Sequence, residues 1–323
     1  MKKIIYLSYL QGVHPAHRYQ AKAVSAATMP YTKFLSLLFK RNNIVISEGF
    51  RPLLVASQLK MLHCVNKHIN ILLGDFILGL QRYYFLQDFI NLALEYCDAF
   101  IANSTFTMEI FQKYFGKKHR INICWPLANL ELFIEVSPLF KDNRTQERLC
   151  YLGHLTYYDG ADLLPKIFLD IKDEFGKNIE MYIIGNGPLY ESLSQIKIEG
   201  FHVLGYQPIN VVKKIFSKCQ FFIYPARFKC FGLSIIEAMA SGLIPLVTER
   251  TGARDFVRDL DPNLVVPLNI KIMERRIGEM LTMDPMLRKE LSIKAKQIAL
   301  SWNEKTASET FLKIISNFIK NSY

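Results

Sequence analysis

The sequence predicts an α/β fold of two domains, each built on a parallel β-sheet. Its 323 residues correspond to about two domains at the usual size of roughly 150 residues each. Short β-rich runs alternate with longer helical patterns along most of the chain, which indicates parallel strands joined by helical crossovers. The polar stretch Ser137–Glu147 interrupts this alternation, which then restarts, so we predict a linker there.

Five strands are predicted in the first block, which we assign to a domain of residues 1–140. They are Lys3–Ser8, Asn43–Ser47, Ile69–Leu73, Ala99–Ala102 and Asn122–Trp125. Helical patterns lie at Tyr83–Glu95 and Thr105–Phe115. The aromatic and apolar segment Met29–Arg41 is expected to be a core-facing helix, and a helix in a membrane interface is the alternative because cations end the segment.

Six strands are predicted in the second block, which we assign to a domain of residues 149–303. They are Leu149–Leu152, Glu180–Ile184, His202–Leu204, Phe221–Tyr224, Ile244–Val247 and Leu264–Val266. Helical sequence dominates from Met273 onward. Parallel sheets bind ligands outside the carboxyl ends of their strands, so two Rossmann-like domains facing each other predict a site in the cleft between them.

The formal net charge of +11 is concentrated in the first half of the chain. Residues 1–150 hold 18 Lys and Arg against 10 Asp and Glu, whereas residues 151–323 hold 22 against 19. A basic first half attracts an anionic partner, either a phosphate-bearing substrate or an anionic membrane contacted peripherally. A solvated lysine surface is the alternative. The sequence has no nucleic-acid-binding module, so we expect no nucleic-acid partner.

The cysteine pattern favours a cytoplasmic protein. The six cysteines are scattered without CxxC or zinc-ligand spacing, which fits a reducing compartment. The opening MKKIIYLSYLQG resembles a signal peptide, but its apolar run stops at Leu10, so we interpret it as the first strand. No apolar run is long enough to span a bilayer, and the inner face of the membrane is the alternative location.

The most informative segment is Ala226–Val257, whose helix is apolar over most of its surface. At about 100° per residue, only Ser234, Glu237 and Ser241 form a polar stripe. A carboxylate on such a helix is costly to bury unless something pairs with it. Glu237 therefore belongs either to a structural network or to a polar cleft.

A basic loop, PARFKCFG, leads into this helix. Free N–H groups near Gly232 and Leu233 at the helix start form an anion site, and the cations of Arg227 and Lys229 stand beside it. A phosphate suits this arrangement. Two exposed basic side chains near a helix cap are the alternative.

Two further motifs are weaker. The strand before Gly185 runs into Gly185-Asn186-Gly187-Pro188, where glycine permits a tight turn and a close ligand, but Tyr190 replaces the last glycine of GxGxxG. A purely structural turn is therefore the alternative. Asp259-Leu260-Asp261 lies in a turn context before a strand, and we expect no metal there or elsewhere.

Gly12, His14 and His17 follow the first predicted strand, where the first domain would face the cleft. Histidine at such a place can donate a hydrogen bond or carry a proton for an acceptor substrate. Incidental loop positions are the alternative. His63 and His68 show no metal-ligand spacing, and we interpret both as structural.

Several motifs between Cys150 and Trp302 stand in a defined order: YLGHL (151–155), MYIIGNGP (181–188), FGLSIIEAMASGLIPLV (231–247), GARDFV (252–257) and SW (301–302). In these motifs the chain resembles the retaining glycosyltransferases of family 4, which have the GT-B fold of two Rossmann-like domains facing across a cleft. FGLxxxEAMAxGxPxV is a specific signal, matched with one extra residue before the proline. The first half matches loosely, mainly in CDAFIANST (97–105).

The resemblance implies a metal-independent, hexosyltransferase-type glycosyltransferase without a cofactor. It would move a sugar from a nucleotide-sugar donor to a glycan or a lipid-linked glycan, with retention. Glu237 would hold the ribose hydroxyls, and the backbone of Gly232 and Leu233 would cradle the diphosphate. Other residues of the same motifs are expected to line the donor site, because they occupy matching positions: Phe231, Gly153, His154 and Gly187. The last helix, Thr306–Lys320 within 304–323, is expected to cross back to the first domain.

The chain departs from the family pattern at its charged positions. Lys229 stands where the family has the first of two glutamates eight positions apart, and His154 and Asp159 stand where it has Arg and Lys. The family's histidine in the first domain is not evident near Ile71–Asp75. We hypothesise that Arg227 and Lys229 supply the displaced positive charge, with His154 as a weaker donor. No catalytic base is assigned.

These departures leave two other functions open. A degenerate, non-catalytic GT-B protein would bind a partner subunit or a glycan, and the missing glutamate and basic pair favour it. A sugar-nucleotide epimerase of the same fold would convert a donor without an acceptor, but the histidine and carboxylate patterns of those enzymes are not found. Titration with nucleotide-sugars separates the transferase from the degenerate protein.

Overall fold

The computed structural model describes residues 3–9, 12–37, 43–73, 87–138, 147–176 and 178–320. The chain forms two compact units. The N-terminal unit comprises Met1–Leu127 and Asn303–Tyr323, and the C-terminal unit comprises Ala128–Trp302. Each unit carries a six-stranded sheet whose paired strands are all parallel. The predicted α/β class with two parallel sheets is confirmed.

The sheet of the N-terminal unit has the strand order β2-β1-β3-β4-β5-β6. Its strands are β1 Ile4–Ser8, β2 Ala27–Pro30, β3 Ile44–Glu48, β4 Lys67–Leu72, β5 Ala99–Ala102 and β6 Ile121–Ile123. Its helices are α1 Arg18–Ala23, α2 Phe50–Met61, α3 Gln87–Glu95, α4 Thr105–Phe115 and, from the end of the chain, α12 Glu304–Lys320. The first four residues of the helix predicted at Tyr83–Glu95 lie outside the described residues.

The helix predicted over Met29–Arg41 is confirmed only over Tyr31–Leu37, as a 3₁₀ helix, and is wrong at Met29 and Pro30, which belong to a strand. Strand β2 ends at Pro30 and pairs with β1, and a short 3₁₀ helix follows at Tyr31–Leu37. Phe34 and Leu37, three residues apart, pack on the apolar cluster that β1, β3 and α2 form. A 3₁₀ helix repeats every three residues, so its apolar spacing resembles that of an α-helix. Residues 38–41 lie outside the described ranges.

Helix α12 packs within the N-terminal unit, against α1. Its buried side chains Ala307, Phe311, Ile315 and Phe318 repeat at helical spacing and form one face. The rings of Tyr19 and Phe311 meet edge to face with centroids 6.5 Å apart. The chain therefore returns to its first unit after completing the second.

The sheet of the C-terminal unit has the order β12-β11-β10-β7-β8-β9. Its strands are β7 Glu147–Leu152, β8 Ile179–Ile184, β9 Phe201–Gly205, β10 Phe221–Tyr224, β11 Ile244–Thr248 and β12 Val265–Val266. Its helices are α5 Leu164–Phe175, α6 Tyr190–Ser194, α7 Ile209–Phe216, α8 Leu233–Ala240, α9 Arg254–Leu260, α10 Ile270–Leu281 and α11 Pro285–Ser301. None of the helices in the described ranges combines the length and hydrophobicity needed to cross a bilayer.

Residues 128–138 belong to the C-terminal unit, although the sequence places them in a first domain of residues 1–140. Phe133 packs against Phe216 with ring centroids 5.9 Å apart, and the Lys296 ammonium donates to the Val136 carbonyl at 3.1 Å. Most of the predicted linker, residues 139–146, lies outside the described residues.

Candidate functional site

The candidate donor site lies at the carboxyl ends of β7 and β10. These two strands are neighbours, but β8 and β9 lie on one side of them and β11 and β12 on the other. Parallel sheets bind ligands at such a switch point, because the loops leave it in opposite directions. The loop after β7, residues 153–163, meets the loop after β10, residues 225–232, at this place.

The two loops are joined through their backbones. The N–H groups of Arg227 and Phe228 both donate to the Tyr158 carbonyl, at 2.9 and 3.0 Å. Gly160 has a left-handed backbone with φ of 74°, and a Cβ on it would overlap the carbonyl oxygen of Pro225. Glycine is required here because it alone combines that conformation with so close an approach.

We expect Gly160→Ala to destabilise the protein by about 2 kcal/mol or more, because the methyl group must displace the Pro225 backbone. Gly176→Ala is the matched control, since Gly176 also has a positive φ, of 93°, but a Cβ there meets nothing within 4 Å. Urea unfolding of both variants measures the difference. A loss for Gly160→Ala no larger than for Gly176→Ala would contradict the close contact.

Asp159 is the centre of a polar network that connects the loops after β7 and β10. Its carboxylate accepts hydrogen bonds from the Tyr224 hydroxyl at 2.7 Å, the Thr156 hydroxyl at 2.6 Å and the Lys229 ammonium at 2.7 Å. The Asp159 side chain is 8% exposed and that of Lys229 is 31% exposed. Burial opposes ionisation, but the Lys229 charge and these hydrogen bonds hold the pKa of Asp159 below its ordinary value.

Arg227 forms a second ion pair between the same two loops. Its guanidinium donates to both carboxylate oxygens of Asp162, at 2.6 and 2.8 Å, and to the Tyr157 carbonyl at 2.8 Å. It also lies over the Tyr157 ring, 3.7 Å from the centroid. The cations proposed to meet a phosphate therefore both carry a carboxylate partner. Lys229 keeps further N–H donors, because an ammonium has three.

Glu237 is partly buried on helix α8, whose other side chains are largely buried. Among the described residues, its carboxylate has neither a hydrogen bond nor an ion pair. Burial raises the pKa of Glu237 to about 7. The absence of a partner argues against the structural-network interpretation, because a buried carboxylate is costly without one.

The less buried residues in the first turn of α8 share a face of the helix with Glu237. Gly232 caps the helix with φ of 101°, and the less buried positions Leu233, Ser234 and Glu237 follow. The N–H groups of Leu233 and Ser234 have no acceptor within the helix and point outward, whereas the Ile235 N–H donates to the Gly232 carbonyl at 3.1 Å. The side chain of Glu237 leans toward this end, because Cα–Cβ bonds tilt toward the N-terminus. Phe231, just before the cap, is buried against Phe256.

The glycine motif joins the loops after β7 and β8. A Cβ on Gly187 would lie 2.6 Å from the Leu155 carbonyl oxygen, and one on Gly153 would lie 2.8 Å from the Tyr151 hydroxyl. The Leu155 N–H donates to Asn186 and its carbonyl accepts from Leu189, both at 3.0 Å. These contacts favour a structural role for both glycines. His154 is exposed beside them.

A second polar group lies at the switch point between β1 and β3 in the N-terminal unit. Nδ1 of His17 lies 2.6 Å from a Glu48 carboxylate oxygen, and both side chains are nearly inaccessible, at 3% and 1%. The other Glu48 oxygen accepts from the His14 N–H at 3.4 Å. The His14 ring is exposed, and its Nδ1 accepts from the Ala16 N–H. Gly12 is exposed in the same loop.

Sequence reasoning missed Glu48. Its signal was a carboxylate that closely follows the apolar run Ile44-Val45-Ile46. By contrast, His68 lies inside the sheet, where its ring contacts the Ser47 and Ser57 hydroxyls at 2.7 and 3.3 Å. Burial lowers the pKa of His68 to about 3, so it stays neutral. This fits a structural role.

The family model described as "Glycosyl transferases group 1" matches residues 137–298, which is half of the chain. Among curated proteins, a glycogen synthase of Desulfitobacterium hafniense is 32% identical over 130 residues. That match covers 38% of this chain and 27% of the relative. The chain therefore spans only about a quarter of the length of this relative.

Two solved structures share the fold over almost the whole chain. Sucrose-phosphate synthase from Thermosynechococcus elongatus has a TM-score of 0.77 at 14% identity, covering 99% of this chain and all of that one. The Anabaena protein HepE, solved with UDP and glucose, has a TM-score of 0.73 at 14% identity, covering 98% of this chain and all of that one. Together with the two parallel six-stranded sheets, these similarities confirm the expected GT-B fold.

Proposed function

The chain belongs to the group 1 glycosyl transferases, and we propose that it transfers a sugar from a nucleotide-sugar donor to an acceptor. The observation that carries the proposal is Glu237, a partly buried carboxylate that has no protein partner among the described residues. A ligand that donates hydrogen bonds to it would offset its burial. The vicinal hydroxyls of a ribose offer two such donors in the right geometry for one carboxylate.

The start of helix α8 is proposed to hold the diphosphate. Its outward N–H groups and the positive end of the helix dipole favour an anion. Lys229 adds a cation whose remaining N–H groups are available beside its bond to Asp159. Charge develops on the leaving diphosphate in the transition state, so preorganised donors at this place accelerate the transfer.

We extend the proposal to retention without a metal ion, which the resemblance to family 4 supports. The acceptor is a glycan or a lipid-linked glycan, which we assign to the N-terminal unit at Gly12, His14 and His17. The hydrogen bond from Ala16 to Nδ1 of His14 leaves Nε2 as the protonated nitrogen, so this exposed ring is a donor toward a sugar hydroxyl.

A thermal-shift panel of nucleotide-sugars tests the proposal, with UDP-glucose first because the HepE structure contains UDP and glucose. We expect one donor to raise the melting temperature of the wild type, by mass action, and to leave Glu237→Ala unchanged. Transfer of the sugar from that donor to water or to an added glycan then reports catalysis. A folded wild type that binds none of the common donors would favour the non-catalytic alternative.

A further inference from the structure

The amino-end edge of the N-terminal sheet is strongly basic. Crossover helices bring the chain from the carboxyl ends of strands back to the amino ends, so this edge combines strand starts with the ends of α2 and α4. The end of α12 joins this edge through the contacts of Phe318. We call it the basic edge, and its cations are Lys3, Lys60, Lys67, Lys113, Lys117, Lys118, Arg120 and Lys320. Among the described residues there, the acidic side chains are Glu95 and Asp98, and Asp98 is paired with Lys60.

Direct contacts place the members of the basic edge on one surface. The Phe318 ring lies 5.0 Å from the Lys67 ammonium and 5.3 Å from the Arg120 guanidinium carbon. The Lys60 ammonium donates to the Asn66 carbonyl at 2.8 Å, next to the start of β4. The end of α2, the starts of β4 and β6 and the end of α12 therefore adjoin one another.

Helix capping explains only part of this charge. Lys113 and Lys320 lie in the last turns of α4 and α12, where the helix dipole favours a cation. Lys117 and Lys118 instead follow the helix in an exposed turn, and Arg120 precedes a strand. Like charges this close repel one another in the free protein, so the edge attracts an anionic partner.

Exposed apolar side chains lie on the same edge. Met61 and Leu62, at the end of α2, are 40% and 59% exposed, and Tyr114, in the last turn of α4, is 61% exposed. Aliphatic side chains gain little from a phosphate backbone but are stabilised at the boundary between lipid headgroups and acyl chains. The combination of cations with such side chains is typical of a surface that binds anionic lipid.

We propose that the basic edge docks the protein on an anionic lipid bilayer. Lys117 and Lys118 would meet headgroup phosphates, and Met61, Leu62 and Tyr114 would enter the interface. The proposal goes beyond the transferase function and uses none of its residues, because His14 and Glu48 lie at the opposite, carboxyl edge of this sheet. Donor binding and lipid binding are therefore separable by experiment.

Cosedimentation with vesicles tests the proposal. The wild-type chain is mixed with vesicles of phosphatidylcholine alone and with vesicles containing about 30% phosphatidylglycerol. We expect binding to the anionic vesicles only, and binding that weakens as salt rises. Charge reversal in Lys117→Glu/Lys118→Glu should reduce binding at least about tenfold, since each surface cation contributes several-fold to such binding. Met61→Ser/Leu62→Ser should reduce it as well.

The matched control is Lys214→Glu/Lys218→Glu, which makes the same charge change at exposed positions at the end of α7 in the C-terminal unit. It should bind anionic vesicles as the wild type does. An equal loss of vesicle binding in this control would show that net charge alone determines binding, and would overturn the assignment. Equal binding of the wild type to neutral vesicles, or no binding to either kind of vesicle, would also overturn it. Retention on single-stranded RNA but not on vesicles would also overturn it, in favour of nucleic acid.

Discussion

Replacing Glu237 with glutamine is expected to abolish donor binding while making the empty protein more stable at pH 8. The donor effect follows because the neutral amide has only one acceptor oxygen, which accepts hydrogen bonds less strongly than a carboxylate oxygen and serves only one of the two ribose hydroxyls. We expect at least about a hundredfold loss of transfer rate, as for other preorganised contacts. Calorimetry with the donor found in the thermal-shift panel measures the binding.

The stability effect follows from the pKa of Glu237, which burial raises from 4.5 to about 7. A carboxyl group that ionises less easily in the folded state stabilises the fold below its unfolded pKa, and this contribution is lost as pH rises through the folded pKa. Glutamine does not ionise. At about 1.4 kcal/mol per pKa unit, the variant should therefore gain about 3 kcal/mol over the wild type at pH 8 and almost nothing at pH 4.

Glu290→Gln is the control for this experiment, because Glu290 is exposed on α11 and should show neither effect. Urea unfolding at pH 4 and at pH 8 gives the two stability differences. If Glu237→Gln were less stable than the wild type at pH 8, Glu237 would belong to a structural network and the donor assignment would lose its basis.

Replacing Asp159 with alanine is expected to destabilise the protein by about 3 kcal/mol at pH 7, because it leaves the partly buried Lys229 ammonium without its counter-charge. The Tyr224 and Thr156 hydroxyls lose their acceptor at the same time. The Lys229 charge holds the pKa of Asp159 below its ordinary value, so this stabilisation is complete above that value and lost as pH falls through the folded pKa. The difference from the wild type should therefore shrink in acid.

Asp162→Ala provides the matched control in the same loop. The Asp162 carboxylate is 32% exposed, against 8% for Asp159, and the Arg227 guanidinium left behind still donates to the Tyr157 carbonyl. The loss of Asp162 should therefore cost less than that of Asp159, about 1 kcal/mol. Urea unfolding across the acid range compares the two variants. Equal losses at pH 7 would show that the Asp159 network contributes no more than a surface pair.

The regular parts of the fold could be predicted from the sequence because hydrophobic periodicity determines them. The predicted strands Ala99–Ala102 and Phe221–Tyr224 and the helix Thr105–Phe115 agree with the structure residue for residue. Strand β2 could not be predicted, because its residues Ala27-Thr28-Met29-Pro30 lie at the sheet edge, half exposed, and the pairing with β1 rather than local pattern forms it.

The polar partners at the candidate site could not be predicted for a related reason. Lys229 and Asp159 are 70 residues apart in the chain, and only the adjacency of β7 and β10 brings them together. Periodicity describes one element at a time, so the sequence left Lys229 as a free cation beside a phosphate. Glu237 was recognisable in advance because its cost of burial arises on its own helix, whose other positions except Ser234 are apolar.

The return of helix α12 to the N-terminal unit has a consequence for how the protein is made. Residues 303–320 leave the ribosome only after the whole C-terminal unit, yet Phe311 and Ile315 complete the apolar layer beside α1. The first unit to be synthesised is thus the last that can finish folding, while the C-terminal unit is continuous and can close earlier. During translation the face of α1 that packs on α12 therefore stays uncovered until α12 has emerged.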